Sequence, residues 1–479
     1  MRLKKILKDC EILSQKSFKD YTIKSITHES KQVEKNGMFI CIKGNNFDGN
    51  DYALEAVKNG AKCLVTEKDL DIKNVCIIKV KDIRTTMSII AKNFYNRACD
   101  NMRLIGVIGT AGKTTTSLII ANILSKTDKN IGVIGTNGIF IGNIKYDNKF
   151  TTPDPLELHY IFYQMSLLGV KTVVMEVSAQ SIYYHKVYGL KFDKCVFTNI
   201  SEEHLDFFGS MEKYARCKMD FFQNKNMNEC VINVDDFYGR ELAYKTQVPS
   251  ISYGLNSPAN SFAVDIENSL CGLKFVANIF DEIIVVKSRL VGEYNVYNLL
   301  AAMTICKLLG LTKSEIENAI ETMPAIPGRF NVFNVGGAKF IVDFAHTPDS
   351  FKKILSFVKS QVQKRLIVLF GCVGYSDEDK RKDVGLIADT FADVIILTTD
   401  NRGETPFDEI ATDIMKGMTK NKAILIEDRE QAINYASSIC ESGDIVCVLG
   451  KGAEDFQKIE KERVPYSDLD IVKKLSKEK

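Results

Sequence analysis

Long apolar runs are missing from this 479-residue sequence: none approaches the roughly 20 residues that span a bilayer, so no membrane helix is expected. The first residues, MRLKKILKDCEILSQKSF, turn charged too soon for a secretory signal, and the expectation is a cytoplasmic protein without a membrane partner. An excess of one charge is missing as well. Lys and Arg number 63 against 61 Asp and Glu, a formal net charge of +2, which leaves no overall field to draw the chain onto nucleic acid. The 13 cysteines include no CxxC and no metal-like cluster, and an odd number in a long chain reads as reduced thiols packed in cores. No 20–50-residue period and no low-complexity tract appear, which argues against a solenoid and against a disordered linker.

What is present is the texture of several α/β domains. With 45% hydrophobic residues the chain can bury two to four cores. Residues 23–80 alternate short apolar runs (GMFICI, AKCLVT, VCIIKV) with polar turns and one helical segment, YALEAVKNG, the pattern of a small α/β unit. From Leu104 the runs lengthen: RLIGVIG, NIGVIGT, KTVVMEVS, DKCVFTNIS and ECVINVDD are β-branched and separated by helix-sized intervals, as in a mostly parallel sheet covered on both faces. A second series, RLIVLFGCVG, DVIILTTDN and DIVCVLGKG, follows Pro327 and Gly328, with each strand ending in a polar or glycine-bearing loop. The expected boundaries are 1–100, 101–328 and 329–479.

GTAGKTTT, residues 109–116, lies between the run RLIGVI and the helical SLIIANIL. Gly109 and Gly112 free the backbone for close approach to a phosphate, Lys113 supplies charge, and Thr114 or Thr115 offers a hydroxyl to Mg²⁺. Val107 stands where the long GxxxxGK[ST] pattern has glycine, so the match is to a shorter GTxGKT form. Glu176 closes the strand in VVMEVS, where an acid can hold a metal bridging nucleotide phosphates; a helix-capping carboxylate is the plainer alternative. His204, one of only five histidines, follows another strand in FTNISEEHLD, with acids beside it; a lone histidine is more often a packing or surface residue than a ligand.

These stretches together resemble the Mur ligase family, the ATP-dependent amide-forming enzymes of peptidoglycan precursor synthesis. GTAGKTTT, MEVS, FTNIS..HLD, YARCK, GEYNVYNLLAA, PGRF and DFAHTPD occur in the family's order and approximate spacing along nearly the whole chain. TTPDPLEL, MEVSAQSI and FGCVGYSDEDKR look most like the branch that adds the third residue of the stem peptide to UDP-N-acetylmuramoyl-L-alanyl-D-glutamate. The resemblance implies three α/β domains: an N-terminal uridine-nucleotide domain, a central P-loop ATPase domain with a mostly parallel sheet, and a C-terminal Rossmann-like domain. It also implies a monomer using ATP and Mg²⁺, in which a substrate carboxylate attacks the γ-phosphate and an amine displaces phosphate from the resulting acyl phosphate.

Residue by residue, the family analogy gives Gly109, Thr110, Gly112, Lys113, Thr114 and Thr115 to the ATP phosphates, and Thr114 and Glu176 to one Mg²⁺, with His204 helping to bind a second. It aligns Lys218 with a lysine carbamylated by CO₂; read without the analogy, Lys218 is an ordinary solvated helix lysine. Asn298, Arg329, Asp343 and His346 are implied around ATP, and Ser30, Thr151, Thr152, Ser178 and Lys186 around the uridine-linked substrate. Arg381, Asp400, Asn401, Arg402, Gly450 and Glu454 are implied around the incoming amino acid.

The departures from the family pattern fall in sites. DSR is ESK (Glu29 to Lys31), Ala111 replaces an asparagine, and Lys186 replaces an arginine, which loses a planar fork. The DNPR loop of the enzymes that choose meso-diaminopimelate reads DNRGE, GKGHE reads GKGAE and FDDRE reads YSDLD. Arg402 can still face a distal carboxylate. The amine is left open, with meso-diaminopimelate ahead of L-lysine and ornithine. The alternative is a paralogue of the family with a changed acceptor or amine. A non-catalytic relative would have lost Lys113, Glu176 or Lys218, and a GTPase would carry an NKxD-like signature; neither is the case.

Overall fold

The fold is a computed structural model that describes residues 1–478 except 45, 46, 143, 149, 224, 225, 375–377 and 421. Residues 375–377 of the FGCVGYSDEDKR stretch therefore lie outside the described residues. Three large sheets follow one another along the chain, with five, eleven and six strands, and a two-stranded ribbon, Phe456–Ile459 with Glu462–Pro465, is added near the end.

The runs GMFICI, AKCLVT and VCIIKV form Gly37–Ile40, Ala61–Thr66 and Cys76–Val80, parallel neighbours in the first sheet. Their apolar side chains fill two small cores, one on each face, and helix Ile83–Phe94 closes one of them with Ile83, Met87, Ile90 and Ala91. Asp82 starts that helix by accepting from the amides of Arg84 and Thr85, which satisfies donors that the first turn leaves unpaired. Leu156 of the central region packs against this core, so the first two units share an apolar seam.

Arg103–Ile108 runs through the middle of the eleven-stranded sheet, parallel to Thr172–Val177 on one side and Phe192–Phe197 on the other. The register aligns Val177, Ile108 and Phe197, so all three strands release their loops at one edge. In open α/β sheets this carboxyl edge, where successive connections leave on opposite sides of a strand, is where ligands bind. Helix Lys113–Leu124 is buried nearly all round, its first turn polar and the rest mostly apolar, because it is enclosed between the sheet and helix Tyr294–Leu308.

The far side of this sheet is antiparallel, an addition to the parallel pattern expected from the longer runs. Ser261–Ser269, Gly272–Ile279 and Glu282–Ser288 form a meander whose side chains alternate between core and solvent, as in EIIVVKS, where Ile284 and Val286 are buried and Ile283 and Val285 exposed. The short period-two alternation was the legible signal.

In the third sheet Ala338–Asp343, Ile445–Leu449, Leu366–Phe370 and Val394–Leu397 are parallel neighbours. Asp343 pairs with Leu449 and Phe370 with Leu397, so the loops carrying His346, Asp400–Glu404 and Gly450–Glu454 also leave at a common edge. All 13 cysteines are free thiols, and most are buried. No described helix is long and apolar enough to cross a membrane.

Candidate active site

Gly112, at φ +85°, turns the loop into helix Lys113–Leu124, a left-handed conformation that favours glycine. A Cβ there would also run into Asn298 Oδ1. Asn298 is buried behind the loop, where its Oδ1 accepts from Thr116 Oγ1 at 3.1 Å and its Nδ2 donates to Asn295 Oδ1 at 2.8 Å. The structure therefore sets this asparagine against the back of the loop, fixing its shape. A first helical turn leaves backbone amides without intrahelical partners, a ready cradle for anions.

Thr114 is the loop threonine that meets the strand-end acid: its Oγ1 donates to Glu176 Oε2 at 3.0 Å. Glu176 is buried and also accepts from Thr136 N at 2.8 Å and Thr136 Oγ1 at 3.1 Å. It is not a helix cap; Ser178 serves that purpose, accepting from Ser181 N. Lys113 Nζ folds over the loop onto the carbonyls of Gly109 and Thr110, at 2.9 and 2.7 Å.

The buried lysine is the larger surprise for a reading by residue type. Lys218 lies on helix Met211–Gln223, whose polar and apolar residues are segregated, yet it is 1% exposed and belongs to the inward face. Its Nζ donates to Thr110 Oγ1 at 3.1 Å and to the Tyr214 hydroxyl one helical turn away. Burial pushes its ammonium well below the usual lysine range, and Lys113 pushes the same way. Both effects disfavour the charged form of this amine.

Tyr214 and Glu203 were not singled out in the sequence. The Tyr214 hydroxyl contacts Thr110 Oγ1 at 3.0 Å and donates to Glu203 Oε2 at 3.2 Å. Glu203 faces His204 Nε2 at 3.8 Å and His346 Nε2 at 3.6 Å. Burial alone would raise the Glu203 carboxyl; the His346 contact, Lys113 and His204 outweigh it and hold it well below the usual carboxylate range. Burial lowers His204, with Glu203 opposing. The available signal for Glu203 was the acidic pair before His204, and for Tyr214 its place one turn before Lys218.

His346 belongs to the third sheet's loops, so this contact joins the central and C-terminal units. Arg329 makes a second junction: its Nη2 donates to Thr114 Oγ1 at 3.2 Å, and its guanidinium lies over the Phe344 ring at 4.6 Å. Burial lowers Arg329, with Asp343 and Glu176 opposing, and burial raises Asp343. Asp343 in turn accepts from the amides of Phe330 and Ala345, at 2.8 and 2.7 Å, which pins the hinge.

Thr151 and Thr152 sit beside the same edge. Thr152 Oγ1 donates to Glu176 O at 2.9 Å and accepts from Ser178 N at 3.1 Å, while Thr151 Oγ1 lies 3.0 Å from Thr136 Oγ1. Lys186 pairs with Asp154 at 2.8 Å and lies over the Phe150 ring at 4.6 Å. Ser30 is in the first unit, buried, and donates to Glu55 Oε2 at 2.5 Å.

In the C-terminal unit a wholly buried cation, Lys451, collects the predicted loops. Its Nζ donates to Glu454 Oε2 at 2.8 Å and Asn401 Oδ1 at 3.1 Å, and stands 3.6 Å from Asp400 Oδ1. Gly450, at φ +112°, packs so closely that a Cβ would lie 2.7 Å from Asp400 Oδ2. Arg381 is 3% exposed and spent on Asp413 at 2.8 Å and the Gly374 carbonyl at 2.8 Å. Among the described residues Arg402 makes only long contacts, 3.4 Å to the carbonyls of Gly403 and Thr405 and 3.9 Å to Glu427, which leaves its fork the least committed cation of this group.

Comparison with known proteins agrees with this geometry along the whole chain. Residues 22–101 match the Mur ligase family catalytic domain, 107–306 the Mur ligase middle domain, and 328–452 the Mur ligase glutamate ligase domain. The UDP-N-acetylmuramoyl-L-alanyl-D-glutamate--2,6-diaminopimelate ligase of Clostridium botulinum is 36% identical over 487 aligned residues, covering 100% of each chain. The enzyme of the same name from Caldanaerobacter subterraneus is 37% identical over 458, covering 95% of this chain and 94% of its own. A solved structure of a 2,6-diaminopimelate ligase of that name superposes with a TM-score of 0.71 at 27% identity, covering 100% and 99% of the two chains. The MurF ligase of Thermotoga maritima, solved with ADP, shares the fold at a TM-score of 0.66 and 20% identity, over 96% of this chain and 99% of its own. A phosphate loop, a buried lysine and a hinge arginine converging at one sheet edge, in a chain alike from end to end to these enzymes, place it in the Mur ligase family.

Proposed function

We propose that the protein joins meso-diaminopimelate to UDP-N-acetylmuramoyl-L-alanyl-D-glutamate in the assembly of the peptidoglycan precursor, as a cytoplasmic monomer. As a Mur ligase family member it is an ATP-dependent, ADP-forming amide ligase. The observation that carries the finer reading is the meeting of an anion site with a site of mixed charge. The phosphate loop meets, across the hinge at Arg329, a C-terminal unit whose largely buried loops carry Asp400 and Glu454 around Lys451 and one loosely held arginine, Arg402. In this reading residues 1–100 take the uridine nucleotide, 101–328 take ATP and 329–479 take the amino acid.

The paired oxygens of Thr114 and Glu176 suit Mg²⁺, a hard cation that takes few protein ligands beside phosphates. These two residues would hold it, with His204 at a second ion, and the chemistry supplied there is neutralisation of charge on the transferring phosphoryl group. Lys113 and the amides of residues 112–115 bind the β- and γ-phosphates. Lys218 Nζ, whose charged form burial disfavours, gives up its ammonium proton, adds CO₂ and loses one further proton, which turns a cation into a carbamate anion. The glutamyl carboxylate of the acceptor then attacks the γ-phosphorus and ADP leaves. The α-amine attacks the acyl carbon, phosphate leaves, and the amine gives up a proton. Neither step needs a nucleophilic side chain; both need anions held together, which is electrostatic catalysis by preorganised groups.

For the acceptor, Thr151, Thr152, Ser178 and Lys186 line the central unit's edge and Ser30 the first unit. For the amine, Asp400 and Glu454 receive the ammonium groups and Arg402 the distal carboxylate, with Arg381 and Asn401 holding the loops in place. The test is ATP- and Mg²⁺-dependent phosphate release with UDP-N-acetylmuramoyl-L-alanyl-D-glutamate and diaminopimelate, lysine or ornithine, with product mass recorded. A product heavier by one diaminopimelate residue is expected. No product with any amine, from protein that binds ATP, would favour the paralogue with another acceptor.

A further inference from the structure

Helix Ile83–Phe94 of the first unit presents three polar side chains spaced by four residues, and therefore on one face, to a single turn of the central unit. The Arg84 guanidinium lies over the Tyr184 ring at 4.3 Å, Ser88 Oγ donates to the His185 carbonyl at 2.8 Å, and Lys92 Nζ donates to the Gly189 carbonyl at 2.8 Å. Lys92 and Ser88 are buried, and Asp100 holds the Lys92 ammonium from the other side at 2.6 Å. The turn is irregular: His185 adopts φ +55° and Gly189 φ +75°, conformations that no regular element would maintain. Lys186 is the next residue after that left-handed histidine, and its amine points back to Asp154 and Phe150.

We propose that Ser88 and Lys92 are positioning residues: they seat the Tyr184–Gly189 turn on the first unit and thereby fix where Lys186 stands toward the uridine-linked substrate. The inference rests on the proposed function only for the identity of that substrate. The physical basis is the lost redundancy of an Arg-to-Lys exchange. A lysine gives one point charge on a flexible stem where the family's arginine gives a planar fork, so the backbone beneath it must supply the direction. Two buried hydrogen bonds to the carbonyls on either side of Lys186 do so, and they also fix the first unit, which carries Ser30, relative to the same ligand.

Kinetics of Lys92→Met, Lys92→Arg and Ser88→Ala test this in the full chain. Lys92→Met is expected to raise KM for UDP-N-acetylmuramoyl-L-alanyl-D-glutamate about tenfold with kcat and the KM for ATP within about twofold. Ser88→Ala should act in the same direction, and Lys92→Arg should recover most of the loss. An unchanged KM for the uridine substrate, or an equal fall of all parameters, would overturn the proposal. Amide exchange across residues 184–190 without any substrate separates this result from a wrong substrate assignment. Faster exchange in Lys92→Met supports the seat even if the wild-type protein ignores the nucleotide, and unchanged exchange refutes it.

Discussion

The Arg329 guanidinium donates to the Thr114 hydroxyl at 3.2 Å, across 215 positions of the sequence and across the hinge between the central and C-terminal units. Thr114 is the residue whose hydroxyl also reaches Glu176, so one threonine senses both the strand-end acid and the neighbouring domain. The position of the C-terminal unit therefore bears directly on the phosphate site.

Arg329→Ala should therefore impair catalysis more than folding. A loss of about 100-fold in kcat/KM for ATP is expected, with Arg329→Lys recovering only part of it because the lysine lacks the fork. Steady-state kinetics with ATP varied reads the effect, and a variant with unaltered kcat/KM would remove the arginine from the site.

Lys218→Ala should abolish turnover, since no other described side chain occupies the place of its Nζ beside Thr110 and Tyr214. Burial and Lys113 both disfavour the charged form of this amine, which favours its reaction with CO₂. A small carboxylate such as formate added to Lys218→Ala should restore part of the activity, whereas full activity without it would exclude the carbamate.

Arg402 is tied to its surroundings by contacts of 3.4 Å and longer, so its removal should leave the loop standing. Arg402→Ala is predicted to raise KM for diaminopimelate by about 10- to 100-fold, the range of one charge-assisted contact, and to leave the KM for ATP alone. Equal KM values for the variant and the wild type would move amine selectivity to another residue.

His159 gives the protein an acid limit. It is wholly buried on helix Pro155–Leu167, its Nε2 has no partner, and burial lowers its pKa to about 3. The unfolded chain takes up a proton near pH 6.5 that the folded chain refuses until about pH 3, so the contribution of neutral His159 is complete above pH 6.5 and is lost as pH falls through this window. The slope approaches about 1.4 kcal/mol per pH unit within the window. Urea unfolding between pH 7 and 4 should show it, and a His159→Phe variant should flatten the profile; identical slopes would place acid sensitivity elsewhere.

The strands were legible because each is a short β-branched run bounded by polar turns, and the parallel character because helix-length intervals separate them. The phosphate loop was legible for a chemical reason: glycine, lysine and threonine in that order satisfy a phosphate with little help from elsewhere. The antiparallel meander of residues 261–288 carried a period-two alternation in its sequence, but its strands are joined by tight turns rather than helix-length intervals, and its pairing came only with the structure. Residue types misled most where burial decides. Lys218 and Arg329 are surface residues by type, yet Lys218 is buried and Arg329 half-buried, because their charges face a polar pocket that neither the helix period nor the hinge sequence announces. Lys451 was passed over between Gly450 and Glu454 for the same reason, although it ties both to Asn401. The sequence by itself determined the local elements, the loop chemistry and the family, since these depend on neighbours within a few residues. Only the tertiary structure decided which charges lose their water, because the partners of Glu203, Lys218 and Arg329 arrive from strands and domains distant in the chain, and desolvation is set by that arrival.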